Sequence, residues 1–360
     1  MDYLVLIMTL LFLNMVFIVT LSFLDFRKKR YFYGKPFLSF IIPVYNDEKN
    51  IERTIKGIYN SYEGKFEVFV VDDKSTDKTA HILNRIKKKY PIKILKNNEN
   101  LGKSLSVNQA FKRTKGKIIF IVDSDTVINR KAVRDALDRL ENKKIGAVHF
   151  RYKAYPWERG PLESTENIEA SFLSMFFGAQ NCCSSLTLVG GCIAVKRKAF
   201  EDAKMLSVNA ISEDTDLALK LNENGWKVQQ SFCRIETSLP RKPGTFLKQK
   251  IRWGAGFSQG FLRHPAVYFR NSIFLCNIFL FFIPIIFVIF FGDKITTSDS
   301  TALFKLFISF VIFPLISLPY AFLAIRDKKY YESFWIYPFA WFYIPVISIL
   351  LSLFFIAWDF

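Results

Sequence analysis

Apolar and polar positions alternate in a regular rhythm over residues 36–151. Short, nearly continuous apolar runs at 37–44, 66–71, 92–95 and 117–122 are separated by amphipathic stretches at 48–59, 77–89, 103–112 and 131–141. Apolar runs rich in Val, Ile and Phe suit strands buried on both faces, and the amphipathic stretches suit helices covering them. Strand and helix in strict alternation predict an α/β, doubly wound, mostly parallel sheet.

Outside this region the rhythm changes. Four runs carry no charge: 3–24, 272–292, 306–325 and 334–358. As a helix the first would be about 33 Å long, enough to cross a bilayer core. It starts beside Asp2 and has no small-residue exit, so it reads as a retained anchor rather than a cleaved signal peptide. Arg27-Lys28-Lys29-Arg30 follows it, and Arg326-Asp327-Lys328-Lys329 separates the third run from the fourth. The positive-inside rule then predicts a multi-pass protein of the cell membrane with residues 25–271 in the cytosol. The expected organisation is an anchor and basic stop at 1–30, a cytosolic domain at 31–240, an interfacial amphipathic segment at 241–271, and three membrane helices over 272–360.

Composition removes several classes. Of 360 residues 51% are hydrophobic, including 39 Phe, so disorder is excluded. Five cysteines without a CxxC pair exclude a disulfide-stapled module, and three scattered histidines argue against structural zinc. The net charge of +18 is explained by attraction to anionic lipid heads. No motif for nucleic acid accompanies it, and no nucleic-acid partner is expected.

In open parallel sheets ligands sit outside the carboxyl ends of the strands. There the chain places Pro43-Val44-Tyr45-Asn46-Asp47-Glu48, then Asp72-Asp73-Lys74-Ser75, then Asp123-Ser124-Asp125-Thr126. Each cluster alone could cap a helix or mark a turn. Together they would crowd carboxylates into one cleft, which requires a cation or hydrogen-bond donors. An Asp-x-Asp pair at a strand end suits Mg²⁺ or Mn²⁺, with a diphosphate supplying further oxygen ligands. Neither a dinucleotide GxGxxG nor a P-loop is present. Lys103, at a helix start, either approaches phosphates or is solvated. Val189-Gly190-Gly191-Cys192 is strand-like, its glycines permitting close approach to a ligand or only a bulge. Ser212-Glu213-Asp214 opens an amphipathic helix to about residue 222, with Ser212 as a candidate cap. Gln249-Lys250-Ile251-Arg252-Trp253 lies in a basic amphipathic stretch suited to a membrane surface.

PVYND, VDDKS, NLGK with Asn108, VDSD, SED and QKIRW followed by Gly254 and Gly256 resemble, in order, the membrane-bound inverting glycosyltransferases of family 2. That group includes hyaluronan, chitin, cellulose and poly-N-acetylglucosamine synthases and ceramide glucosyltransferase. The resemblance implies a nucleotide-diphospho-sugar transferase-like fold, a UDP-sugar donor, and a glycan or lipid-linked acceptor at the cytosolic membrane face. By motif, Pro43, Tyr45 and Asp47 would border the nucleotide, and Asp73 with Asp72 would hold the uracil. Lys103 would approach the diphosphate, Asp123 the ribose–diphosphate region, and Asp125, with Asp123, the metal. Gly190 and Gly191 would border the acceptor end. Asp214, next to Glu213, would be the general base, ionised near neutral pH as an unburied Asp is. Gln249, Arg252 and Trp253 would face the diphosphate and the acceptor sugar. Asp47 departs from the family's usual Glu, and Glu48 could substitute for it. Two other readings remain: transfer of one sugar to a polyprenyl phosphate or similar lipid, and a non-catalytic nucleotide-binding transport or scaffold subunit.

Overall fold

The computed structural model describes residue 20 and residues 34–157, 160–189 and 191–271. The four charge-free runs expected to span a membrane lie outside the described residues, apart from Thr20. Among the described residues no helix is long and apolar enough to cross a membrane.

Eight strands form one sheet: β1 (Leu38–Val44), β2 (Phe66–Asp72), β3 (Ile92–Lys96), β4 (Ile118–Val122), β5 (Thr126–Val127), β6 (Ile145–Ala154), β7 (Cys192–Lys196) and β8 (Lys227–Thr237). Their order across the sheet is β3-β2-β1-β4-β7-β6-β8-β5. The first four strands are parallel to one another, as their apolar runs predict. The second half differs from the expected mostly parallel sheet. β7 runs antiparallel to both β4 and β6, and β5 antiparallel to β8, while β6 and β8 are parallel. The sheet is therefore mixed.

Helices cover both faces. On one side are α1 (Ile51–Ser61), α2 (Thr79–Lys87) and α4 (Arg130–Leu140); on the other are α3 (Gly102–Phe111), α6 (Arg197–Asp202) and α7 (Glu213–Glu223). The period-2 alternation of a strand divides the core between them. Leu38, Phe40 and Ile42 of β1 face the first layer, and Ile41 faces the second. Pro43 is tolerated in this central strand because the pairing of β1 with β4 ends at Ile41. The remaining helices are α5 (Pro161–Gln180), α8 (Pro243–Arg263) and α9 (Pro265–Arg270), each opened by a proline, whose missing N–H costs nothing at that position.

From β1 the chain winds outward to β3, then returns to place β4 on the other side of β1. The order reverses between β1 and β4, so a crevice opens at their carboxyl ends.

Candidate active site

Asp47, just after β1, and the Asp123–Asp125 turn after β4 face each other across this crevice. Asp47 Oδ2 accepts the Ser124 hydroxyl at 2.7 Å, and Thr54 of α1 donates to the Ser124 carbonyl at 2.6 Å. The middle residue of the Asp-Ser-Asp turn is thus held at both ends. Glu48 is turned away, accepting from the Lys78 N–H at 3.0 Å, so Asp47 rather than Glu48 occupies this place. Asn46 has positive φ (52°), and its side-chain oxygen accepts the Thr76 N–H at 2.7 Å, tying the first two turns together. Tyr45 beside it is half exposed.

Asp72 and Asp73 are both buried. Asp72 accepts the Ser75 N–H at 3.0 Å, as an Asp in a turn does. Asp73 accepts from Asn97 Nδ2 at 2.7 Å, the Leu101 N–H at 2.9 Å and the Gly102 N–H at 2.8 Å. Both of its oxygens therefore serve the loop that enters α3, where no residue at the helix start supplies a side-chain cap. Asp73 caps α3 from another strand.

That helix start carries Lys103. Its ammonium lies 2.9 Å from Asp123 Oδ1, 3.1 Å from Glu213 Oε1 and 3.8 Å from Asp214 Oδ1. Segments from β4 and from α7 therefore meet on one cation. Burial by itself would lower the lysine pKa, but the three carboxylates hold it well above its ordinary value. Burial disfavours the charged form of Glu213, but Lys103, a backbone hydrogen bond and Arg252 together more than offset it, leaving that acid below its usual range. Asp214 goes the other way. Burial, with Glu213 and Asp123 nearby, raises its carboxyl to about 7 against the pull of Lys103 and Arg252. It is not the ordinary solvent-exposed Asp expected from the sequence, because α7 carries it into the domain interior.

Asp125 is raised to about 7 as well, first by burial and then by Asp123 and Asp47. Thr126 donates to Thr237 at 3.1 Å, and Thr237 donates to Asp125 Oδ1 at 3.2 Å. Among the described residues no three acidic, imidazole or thiol groups converge to hold a metal by themselves. One or two carboxylates completed by diphosphate oxygens is the usual donor set for Mg²⁺, and a crowded, proton-seeking Asp125 fits it.

Gly191 stands immediately before β7, so among the described residues of the strand-like stretch Val189-Gly190-Gly191-Cys192 only Cys192 belongs to the strand. Its φ is +78°, and its carbonyl accepts the Asp123 N–H at 2.8 Å. A Cβ there would meet Thr126 Oγ1 at 3.0 Å. Gly190 lies outside the described residues.

The Gln249–Trp253 segment lies on α8, which packs against α7. A Cβ on Gly256 would come within 2.4 Å of Ser212 Cβ, so only glycine lets the two helices cross there. Further along, Gln259 Oε1 accepts the Ile211 N–H at 2.9 Å, fixing the loop that leads into Glu213. Ser212 sits at the cap position, yet its hydroxyl reaches Thr215 Oγ1 at 3.2 Å and makes no cap bond to the backbone. Arg252 is exposed, and its charge acts on both Glu213 and Asp214. Lys250 lies over the Trp253 ring at 4.1 Å. Asp214 Oδ1 and Gln249 Oε1 are buried acceptors with no hydrogen bond among the described residues, a costly condition that a bound hydroxyl or amide would relieve.

The sequence reading placed Asn46 and Ser124 in their strand-end clusters without the loop bonds they make, and it missed Asn97, which also holds a loop. Asn97 had a signal in the polar cluster ahead of Gly102, but its partner Asp73 is distant in sequence. Trp157, exposed beside this crevice, was also missed.

The fold, with this acidic crevice at its strand ends, is the mixed α/β, nucleotide-sugar transferase-like scaffold. A solved mannosyltransferase from Pyrobaculum calidifontis, PcManGT in complex with GDP-Man and Mn²⁺, shares the fold with a TM-score of 0.62 at 18% identity, covering 96% of this chain and 99% of that one. Residues 39–203 match the family Glycosyl transferase family 2. Among curated relatives it is 28% identical over 271 residues to the probable glycosyltransferase YdaM of Bacillus subtilis, covering 71% of this chain and 64% of that protein. It is 27% identical over 251 residues to the beta-monoglucosyldiacylglycerol synthase of a Nostoc species, covering 66% of this chain. The chain spans about half the length of the latter, 52%.

Proposed function

We propose that this protein is a membrane-integral inverting glycosyltransferase, moving a glucose- or N-acetylglucosamine-type sugar from a UDP-sugar to a glycan or glycolipid at the cytosolic membrane face. The observation that carries this reading is the convergence of Asp123, Glu213 and Asp214 on Lys103. It links the donor side of the crevice to a base candidate on a different helix.

In this reading Asp214 takes the proton of the acceptor hydroxyl as that oxygen attacks the anomeric carbon. A carboxyl near 7 is matched to such a task at neutral pH. Lys103 and Arg252 face the diphosphate as it departs, Arg252 with a planar fork suited to phosphate oxygens. Trp253, with Lys250 on one face of its ring, offers the other face to a sugar. Pro43, Tyr45 and Asp47 border the nucleotide. Asp73, with Asp72 beside it, would hold the uracil, while Gly190 and Gly191 would border the acceptor end. Asp125, with Asp123, would hold Mg²⁺ or Mn²⁺, which when bound would neutralise charge on the leaving diphosphate.

The membrane reading has support in the surface of the 241–271 segment. Leu247, Phe257 and Leu262 on α8 and Phe269 on α9 are exposed together with Val208 and Ile211. Lys242, Lys248 and Arg270 accompany them, and the charge-free run at 272–292 follows directly. Apolar and basic residues on one segment suit an anionic lipid surface. A lipid acceptor such as diacylglycerol gains support from the Nostoc relative, whose name states a monoglucosyldiacylglycerol product.

The test is to incubate membranes carrying the full chain with labelled UDP-glucose, UDP-N-acetylglucosamine and GDP-mannose, with and without EDTA. Label should enter a chloroform-soluble lipid or a high-mass glycan, and EDTA should stop it. UDP-sugar binding without transfer from any donor would leave the non-catalytic reading in its place.

A further inference from the structure

Beyond the residues above, the crevice has a prepared aromatic surface on its Asp125 side. Trp157 follows β6 and is 55% exposed, whereas Tyr155 beneath it is 1% exposed. The two rings stack with centroids 4.7 Å apart and planes 13° apart. Arg53 of α1 lies 4.3 Å from the Trp157 ring centroid and 4.8 Å from that of Tyr155. These distances form a nearly equilateral triangle. Were the guanidinium and the phenol on opposite faces of the indole, their separation would approach the sum of their distances to it. Both therefore sit on the inner face, and the exposure of Trp157 belongs to the outer one.

The support under the indole is itself fixed. The Tyr155 hydroxyl donates to the Asp125 carbonyl at 2.5 Å, and Arg53 donates to Asn50 Oδ1 at 3.4 Å. Asn50 in turn donates to Asp47 Oδ1 at 2.8 Å. A flat apolar face is thus anchored to the Asp47 carboxylate and the Asp125 backbone at the β1/β4 crevice. An exposed indole held rigid by a buried ring and a cation has already lost its rotamer freedom, so binding there costs little further ordering.

We propose that the outer face of Trp157 is a subsite for a pyranose ring, whose axial C–H face packs on the indole while its hydroxyls stay in water. The inference rests on the glycosyltransferase reading and adds to it a second sugar position, on the opposite helix layer from Trp253. The ring would come from the acceptor glycan or from the donor sugar.

The test uses the full chain, titrated calorimetrically with UDP, UDP-glucose, UDP-N-acetylglucosamine, cellotetraose and tetraacetylchitotetraose, for wild type, Trp157→Ala and Trp157→Phe. Because Trp157 is exposed, its replacement should leave the melting temperature within a degree or so. Trp157→Ala should weaken a sugar-bearing ligand about tenfold and leave UDP unchanged, with Trp157→Phe recovering most of the loss. A loss confined to the oligosaccharides assigns the ring to the acceptor, and a loss confined to the UDP-sugars assigns it to the donor. Equal affinities for every ligand in Trp157→Ala overturn the subsite. Wild-type protein that binds UDP but neither kind of sugar also overturns it, while wild type that binds no nucleotide removes the glycosyltransferase reading itself.

Discussion

Asp73 Oδ2 accepts the N–H of Gly102 at 2.8 Å, so a carboxylate just after β2 caps a helix that follows β3 in the chain. Its other oxygen takes the Leu101 N–H and the Asn97 amide. In Asp73→Asn one acceptor becomes a donor, which leaves at least one of these N–H groups unpaired inside the protein. The expected cost is about 1–3 kcal/mol, seen as a lower melting temperature. Because Lys103 follows directly, transfer should fall as well. An unchanged melting temperature would show that the cap contributes nothing.

Asp214 and Lys103 together set a pH dependence. Burial raises the Asp214 carboxyl to about 7, so the ionised base becomes populated as pH rises through that value. The transfer rate at limiting substrate should therefore climb through about pH 7 on its acid side. Lys103→Met removes a charge that pulls this carboxyl down, and should move the limb to higher pH. Asp214→Asn should abolish transfer while UDP affinity stays within about twofold. A limb near pH 4, or turnover in Asp214→Asn, would take the base role from this residue.

Gly256 and Gly244 make a matched pair on α8. A Cβ on Gly256 would lie 2.4 Å from Ser212 Cβ, an atom next to the main chain that cannot swing aside, whereas at Gly244 nothing lies within 4 Å. Gly256→Ala should push α8 from α7 and destabilise by about 1–3 kcal/mol. It should also reduce transfer, because Arg252 and Trp253 ride on the same helix. Gly244→Ala should be close to neutral. Equal melting temperatures for the two variants would contradict the crossing.

Asp125 links the site to stability. Its carboxyl is raised to about 7, first by burial and then by Asp123 and Asp47. The folded protein thus holds that proton more firmly than the unfolded chain. This contribution to stability is complete below the ordinary carboxylate range and is lost as pH rises through about 7. Asp125→Asn should accordingly raise the melting temperature of the metal-free protein more at pH 8 than at pH 5, and lose transfer. The same gain at both pH values would mean that the carboxyl is not strained by its neighbours.

The alternation of apolar runs and amphipathic stretches was enough to place the first four strands and the four helices among and after them to within a few residues. Strands buried on both faces must be apolar throughout, and that pattern is local. The candidate acids were legible for a related reason, since the ends of parallel strands are where ligands gather, and chain order shows which residues follow a strand. What the linear pattern could not carry was everything set by pairing between distant segments. The antiparallel insertion of β7 between β4 and β6 is decided by sheet edges, and Gly191 reveals its positive φ only once Asp123 is seen to bond to it. The three donors that the loop entering α3 supplies to Asp73 come into view only in the tertiary structure. Asp214 reads as an ordinary carboxylate until α7 buries it beside Glu213. Sequence determined which side chains stand at the edge of the sheet. The tertiary structure alone decided which of them are desolvated, which share a cation and which are spent holding loops, because burial and charge proximity are properties of contacts that no neighbouring residue encodes.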